Sequence, residues 1–467
     1  MTNLVHHPAL RDAAPAVFWL DDPRAPESQP PVDKHIECDL AIVGAGFTGL
    51  WSALIAKQRN PTLEVVVLEA RRTAAAASGR NGGFCDASLT HGFANGLSRF
   101  PGEIDTLERL GLENLDAIES TVREHDIDCD FERTGMIDAA TASWQYDELV
   151  DLAKVMRSHG YRVDVLSPEA MRAQVASPSY QGGLWIHDRT AIVNPARLAW
   201  GLRGLCLDAG VRFHEDTPVV RLRAAADRMR LTTDHGVVSA RRVALATNAD
   251  RPLLARLRQF ILPVYDYVLI TEPLTPEQLA SIGWANRQGV ADSGNQFHYY
   301  RLTADSRILW GGYDAIYHFG NRVDVELEQR GATFDKLANH FFATFPQLDG
   351  VRFTHRWGGA IDTCSRFCAF WGTSHQGRVA YALGYTGLGV GASRFGAQVM
   401  LDLLEGRRNQ RTALRMVRTR PPPFPPEPFR SGVVQLTRWS LDRADRNQGR
   451  RNLWLRGLDI AGLGFDS

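Results

Sequence analysis

Between Cys38 and Gly83 the chain runs CDLAIVGAGFTGLWSALIAKQRNPTLEVVVLEARRTAAAASGRNGG, and this stretch restricts the possible folds more than any other. The apolar run Leu40 to Val43 reads as a buried strand that enters Gly44-Ala45-Gly46-Phe47-Thr48-Gly49. Leu50, Ala53, Leu54 and Ala56 then follow helical spacing, and a second apolar strand, Val65 to Leu68, ends at Glu69. Strand, glycine turn, helix, strand and acid in this order make a dinucleotide-binding βαβ unit. Gly44 permits the tight turn, Gly46 lets backbone approach a pyrophosphate, and Gly49 lets helix and strand pack closely. The helix N-terminus offers unpaired N–H groups and a partial positive charge to phosphate. Glu69 lies 20 residues beyond Gly49, where a carboxylate accepts hydrogen bonds from ribose hydroxyls and repels a 2′-phosphate.

Ser78-Gly79-Arg80-Asn81-Gly82-Gly83 follows, where a nicotinamide domain would proceed to another βα unit. With this loop the chain resembles the D-amino-acid-oxidase-like flavoprotein superfamily, and within it the gamma-glutamylputrescine oxidase-like branch, whose members carry a nearly identical SGRNGG loop. The resemblance implies FAD, held non-covalently, with the loop lying along flavin and pyrophosphate. The positions it implicates are Gly44, Gly46, Phe47, Thr48, Gly49, Glu69, Ala70, Arg71, Ser78, Gly79, Arg80, Asn81, Gly82 and Gly83. It also implies an α/β fold, α+β overall: a Rossmann-like FAD-binding domain with an inserted mixed or antiparallel-sheet substrate domain.

A second glycine-rich strand–helix junction lies far downstream, where Arg378 to Leu383 runs into Gly384-Tyr385-Thr386-Gly387-Leu388-Gly389-Val390-Gly391. Reduction of a flavin at N5 places negative charge along N1 and the C2 carbonyl, which a helix N-terminus stabilises. The resembled family places its matching segment there, so Gly384 to Val390 join the expected cofactor set. The resemblance further suggests that Val219 contacts adenine through its backbone, and that Thr247 and Asn248 approach the cofactor.

The intervening chain divides accordingly. Residues 1–35 are expected to form an arm, with Trp19 packed on the main body. The FAD-binding domain is expected over 36–128, 194–255 and 356–410, and the substrate domain over 129–193 and 256–355. Residues 411–467 are left as a tail, introduced by the polyproline-like run PPPFPPEP, that either packs back on the body or meets another subunit. Residues 260–356 alternate like an antiparallel sheet, with strands around Val264 to Ile270, Phe297 to Leu302 and Ile308 to Gly312.

For chemistry, the sheet residues Tyr265, Tyr267, His298, Tyr299, Tyr300 and Arg301, together with Tyr385, are the candidate pocket residues, although alternation lets only about half of such side chains face one way. Tyr385, His298, Tyr300 and Arg301 are taken as the catalytic candidates: Tyr385 for its place in the flavin motif, His298 as a base, Arg301 as a clasp for a substrate carboxylate. His91 is an alternative base. The expected activity is oxidation of a C–N bond in a small amine or amino acid, with O2 or another electron acceptor taking the electrons. An amine dehydrogenase and a flavin-retaining binding protein are the alternatives.

A formal net charge of zero gives no general attraction to nucleic acid or an anionic membrane. No apolar run reaches the roughly 20 residues needed to span a bilayer. The N-terminal MTNLVHHPALRD lacks the pattern of a secretory leader. Six scattered cysteines form no zinc set, so no metal is expected and free thiols in a cytoplasmic protein are.

Overall fold

The computed structural model describes residues 4–464. The strand His35–Val43 lies at the centre of the first sheet, flanked in parallel by Val65–Leu68 on one side and Val237–Leu245 on the other. Arg212–His214 extends one side, and Val379–Leu383 followed by Phe370–Ser374 extends the other. Its inner strands are buried on both faces (Val65–Leu68 reads buried at every position), as expected for a parallel sheet covered by helices. The helices Phe47–Arg59, Pro195–Asp208 and Gly389–Glu405 pack together on one face.

The second sheet has nine strands, in which Leu262–Thr271, Ile308–Gly312, His298–Leu302, Gly289–Asp292, Met136–Ala140, Gly182–Ile186 and Val163–Leu166 are successive neighbours. It is mixed, since Gly289–Asp292 pairs with Met136–Ala140 in parallel while its other neighbouring pairs run antiparallel. The helix Gly331–Thr344 covers one face through Phe334, Leu337 and Phe341, which join Tyr300 and Trp310 in one core.

One boundary falls elsewhere than expected. The strand Phe353–Thr363 pairs with Leu262–Thr271, so residues 356–363 belong to the second sheet rather than the first. Of the two alternatives for the region from residue 411, its helices Phe429–Arg446 and Leu453–Ile460 take the first and return to the body, and Met416 and Val417 enter the core under the first sheet. The arm is docked too. Trp19 is buried and donates from Nε1 to the Asn81 carbonyl at 2.9 Å.

Candidate active site

A single continuous cavity of about 820 Å³ runs from the end of the first sheet, under the second, to the C-terminal helices. Both glycine junctions open onto it. At the first, Gly44 has φ +104°, and a Cβ there would sit 2.5 Å from the Ala246 carbonyl oxygen. A Cβ on Gly49 would lie 1.9 Å from the Gly44 carbonyl oxygen, so the helix can start against the turn only without a side chain at that position. The helix begins at Phe47 with no side-chain cap from Gly46. Ser78 Oγ instead accepts from the Phe47 N–H at 2.9 Å, which ties the SGRNGG loop to the helix start.

Glu69 closes the far end of this junction. Its carboxylate accepts from the Ala45 N–H at 2.7 Å and the Arg71 N–H at 2.9 Å, while the side chain lines the cavity. Burial pushes its pKa up, against the pull of those two N–H groups. Val219, Thr247 and Asn248 line the same cavity.

The SGRNGG loop is held from behind. Trp357 Nε1 donates to the Arg80 carbonyl at 2.8 Å. Asn81 folds the loop on itself, donating to the Ala77 and Ser78 carbonyls and accepting from the Gly83 N–H. Arg80 donates to the Ala75 and Gly358 carbonyls and pairs with Glu328 at 2.5 Å.

At the second junction the helix Gly389–Glu405 also starts without a side-chain cap. Its turn is organised by Asp362, which accepts from the Gly384 N–H at 2.5 Å. The Asn248 amide also faces that carboxyl. Burial holds Asp362 up at about 7, despite the N–H groups of Gly384, Tyr385 and Thr386.

Gly44, Gly46, Phe47, Thr48, Glu69, Ala70, Ser78, Arg80, Asn81, Gly82, Val219 and Thr247 line the cavity, as do Tyr385, Thr386, Gly387, Leu388, Gly389 and Val390. Gly49, Gly79, Gly83 and Gly384 do not; they sit behind the lining, where close packing excludes a side chain. Arg71 also lies outside it, 3.9 Å from Asp250. Two helix starts with no cap from their own N-cap side chain, a half-buried acid and one connected volume fit a dinucleotide with a ring system at its far end. Cys364 and Cys368 are buried and absent from the lining, which fits a cofactor held without a cysteine linkage.

Three of the four catalytic expectations require correction. His298 turns away from the cavity: Nδ1 is 2.6 Å from Asp292 Oδ2, Nε2 is 2.9 Å from His340 Nδ1, and the ring stacks on Trp310. Tyr300 points to the same side, its hydroxyl 2.7 Å from that of Tyr180. Arg301 faces the other way but is consumed by backbone, donating to the Gly82 carbonyl at 2.8 Å and the Val193 carbonyl at 2.7 Å. Its guanidinium lies over Trp19, and burial lowers its pKa to about 9. Tyr265 and Tyr267 likewise spend their hydroxyls on the Asp324 and Leu327 carbonyls. Tyr385 does line the cavity, and so does His91, whose pKa burial depresses to about 4, leaving a neutral imidazole at physiological pH.

Tyr299, expected in the pocket but not among the catalytic candidates, is there, and it is paired with Asp266, which sequence reasoning missed. Both line the cavity, and Tyr299 donates its hydroxyl to Asp266. Burial raises the Asp266 carboxyl to about 6, more than the hydrogen bonds from Tyr299 and the Tyr267 N–H lower it. Tyr299 also touches the loop, since a Cβ on Gly82 would fall 2.7 Å from its ring.

Fold and site together define a flavin-type dinucleotide oxidoreductase, with the cofactor bed on the first sheet and a second sheet roofing it. The chain belongs to the FAD dependent oxidoreductase family, whose model matches residues 39–403, and FAD is its cofactor. It is 31% identical to gamma-glutamylputrescine oxidoreductase of Escherichia coli K12 over 80% of this chain and 85% of that protein. It is 27% identical to the probable oxidoreductase OrdL of Haemophilus influenzae over 83% of this chain and 88% of that one. Among solved structures, glycine oxidase from Geobacillus kaustophilus superposes with a TM-score of 0.66 at 20% identity, covering 80% of this chain and 96% of that one. Among the described residues no helix is long and apolar enough to cross a membrane.

Proposed function

We propose that the protein oxidises the C–N bond of a small amine or amino acid, releasing an imine that water hydrolyses, with oxygen as the final acceptor and peroxide as its product. Bound FAD supplies the acceptor for a hydride from the carbon beside nitrogen. The observation that carries the reading is the Asp266–Tyr299 pair facing the cavity beside the SGRNGG loop. An amine donates a hydride only as its neutral form, because the nitrogen lone pair must drive the departure. Asp266, ionised above about pH 6, takes the ammonium proton on arrival. Tyr299 holds the carboxylate toward the cavity, and the mostly apolar walls disfavour the charged amine. The names of the relatives support this class of substrate.

The test is anaerobic mixing of the FAD-loaded protein with a panel of amines and amino acids. Bleaching of the yellow flavin band by at least one of them is expected, followed on aeration by one peroxide per turnover. A flavin that no member bleaches overturns the reading; bleaching without peroxide moves the acceptor from oxygen to another oxidant.

A further inference from the structure

The part of the chain beyond the family match, after residue 403, completes the cavity. Along the helix Phe429–Arg446, Val433, Val434, Thr437 and Leu441 recur at helical spacing and face the cavity, joined by Leu455 and Leu458 from the last helix. Phe297, Tyr313 and Phe367 line the same cavity.

This wall is fastened rather than loosely laid. Asp445 accepts from the Asn295 and Gln296 N–H groups at 3.0 and 3.1 Å. Arg438 pairs with Asp314 at 3.4 Å, and Arg430 donates to Asn321 at 2.7 Å. Arg99 donates to the Gly462 and Gly464 carbonyls at 2.6 and 2.8 Å.

The charges bear on what this end accepts. Among the described residues, the cations lining the cavity are Arg80, Arg251 and Arg438. Arg80 is paired with Glu328, and Arg438 shares Asp314 with Lys336. Arg251 is exposed and neighbours the Leu253 lining. Arg301, the expected carboxylate clasp, is sealed behind the loop. At this end Arg438 is already held by Asp314, so a substrate carboxylate set against Val434, Leu441 and Leu458 would lose water without gaining an unengaged cation.

We propose that the two C-terminal helices form a specificity wall selecting amines that carry an uncharged hydrocarbon arm, which packs against Val434, Leu441 and Leu458. This rests on the amine reading above. Burying such an arm is worth about four-fold in affinity per methylene.

The experiment titrates the FAD-loaded, full-length protein with three amines that have no hydrogen on the carbon beside nitrogen, so that binding is read without reaction. They are 2-phenylpropan-2-amine, with an aryl arm; tert-butylamine, with none; and 2-aminoisobutyrate, with a carboxylate arm. The shift of the visible flavin band gives each Kd. The aryl amine is expected to bind at least ten-fold tighter than either of the others. Leu441→Asp, and the milder Leu441→Ala should the aspartate variant not fold, are expected to cut that preference at least ten-fold and about three-fold. Tightest binding by 2-aminoisobutyrate, a preference untouched by either variant, or no band shift with any of the three overturns the wall. Reduction by 1-phenylethylamine is followed separately. Selective binding with no reduction by 1-phenylethylamine or by any member of the amine and amino-acid panel sinks the oxidation reading alone, and reduction without selectivity sinks the wall alone.

Discussion

Thr48 donates a hydrogen bond of 3.1 Å to the hydroxyl of Tyr385, a residue 337 positions away, and so joins the two glycine junctions directly. Both residues line the cavity, so the bond closes the cofactor bed across the first sheet. Burial raises the Tyr385 pKa, which keeps the phenol neutral and able to accept from Thr48.

Tyr385→Phe keeps the ring and removes the acceptor. The loss expected is about 1 kcal/mol of stability, since one buried hydroxyl is left without its partner. Thermal unfolding with and without added FAD measures it, and the FAD-loaded form should lose more because the bond spans the bed. Flavin reduction by amine should slow by less than ten-fold. A drop beyond a hundred-fold would give the phenol a direct chemical role instead.

Asp266 supplies a pH test whose sign follows from burial. Its carboxyl ionises near 6 in the folded protein against 3.8 ordinarily, so the unfolded chain loses its proton first as pH rises. Stability is therefore lost between about pH 4 and 6 and stays lower above that, by at most about 3 kcal/mol. Asp266→Asn keeps an acceptor for Tyr299 and removes the penalty. The variant should melt higher than the parent above pH 6 and match it below pH 4. In the same variant the flavin reduction rate at pH 8 should fall by about a hundred-fold or more, and the break near pH 6 in the parent profile should vanish.

Arg301 separates a structural from a substrate-binding role. Arg301→Met leaves the Gly82 and Val193 carbonyls buried without a donor, at a cost of about 1–3 kcal/mol each. Loss of stability and of FAD retention is expected, measured by thermal unfolding and by flavin content after purification. A variant of parental stability whose only defect is a raised KM for carboxylated amines would restore the clasp.

What could be read from sequence divides along physical lines. The glycine junctions are local: a turn that tolerates no Cβ at Gly44 or Gly49 shows itself within six residues. The facing of a strand is not local. On His298–Leu302 the pattern HYYRL shows that alternate residues share a side, but not which side meets the cofactor. His298 and Tyr300 turn to the core under Gly331–Thr344, and Tyr299 takes the cavity. Asp266 lies between Tyr265 and Tyr267, which turn to the core, and nothing adjacent to it in sequence marks it as facing the cavity. Asp362 is hidden because it falls in the range expected for the FAD-binding domain, while its strand pairs with Leu262–Thr271 of the second sheet. The placement of the C-terminal helices is not local either, because it rests on scattered contacts such as that between Asp445 and Asn295.

That last contact offers a prediction about local rather than global stability. Asp445 receives the Asn295 N–H, the Asn295 side-chain amide at 2.6 Å and the Gln296 N–H, and these hold the helix Phe429–Arg446 to the turn before His298. Hydrogen bonds to a charged acceptor contribute about 1.5–3 kcal/mol each in favourable settings. Asp445→Ala should raise the fraction of molecules with this helix undocked, while the sheets and FAD content stay intact. Trypsin should then cut among Arg443, Arg446, Arg450 and Arg451 at least ten times faster than in the parent, because cleavage follows the open population. The main unfolding transition should move little, since the two cores do not depend on this helix. A variant cut no faster than the parent would mean that Arg438, Arg430 and the Arg99 contacts suffice to hold the helix pair in place.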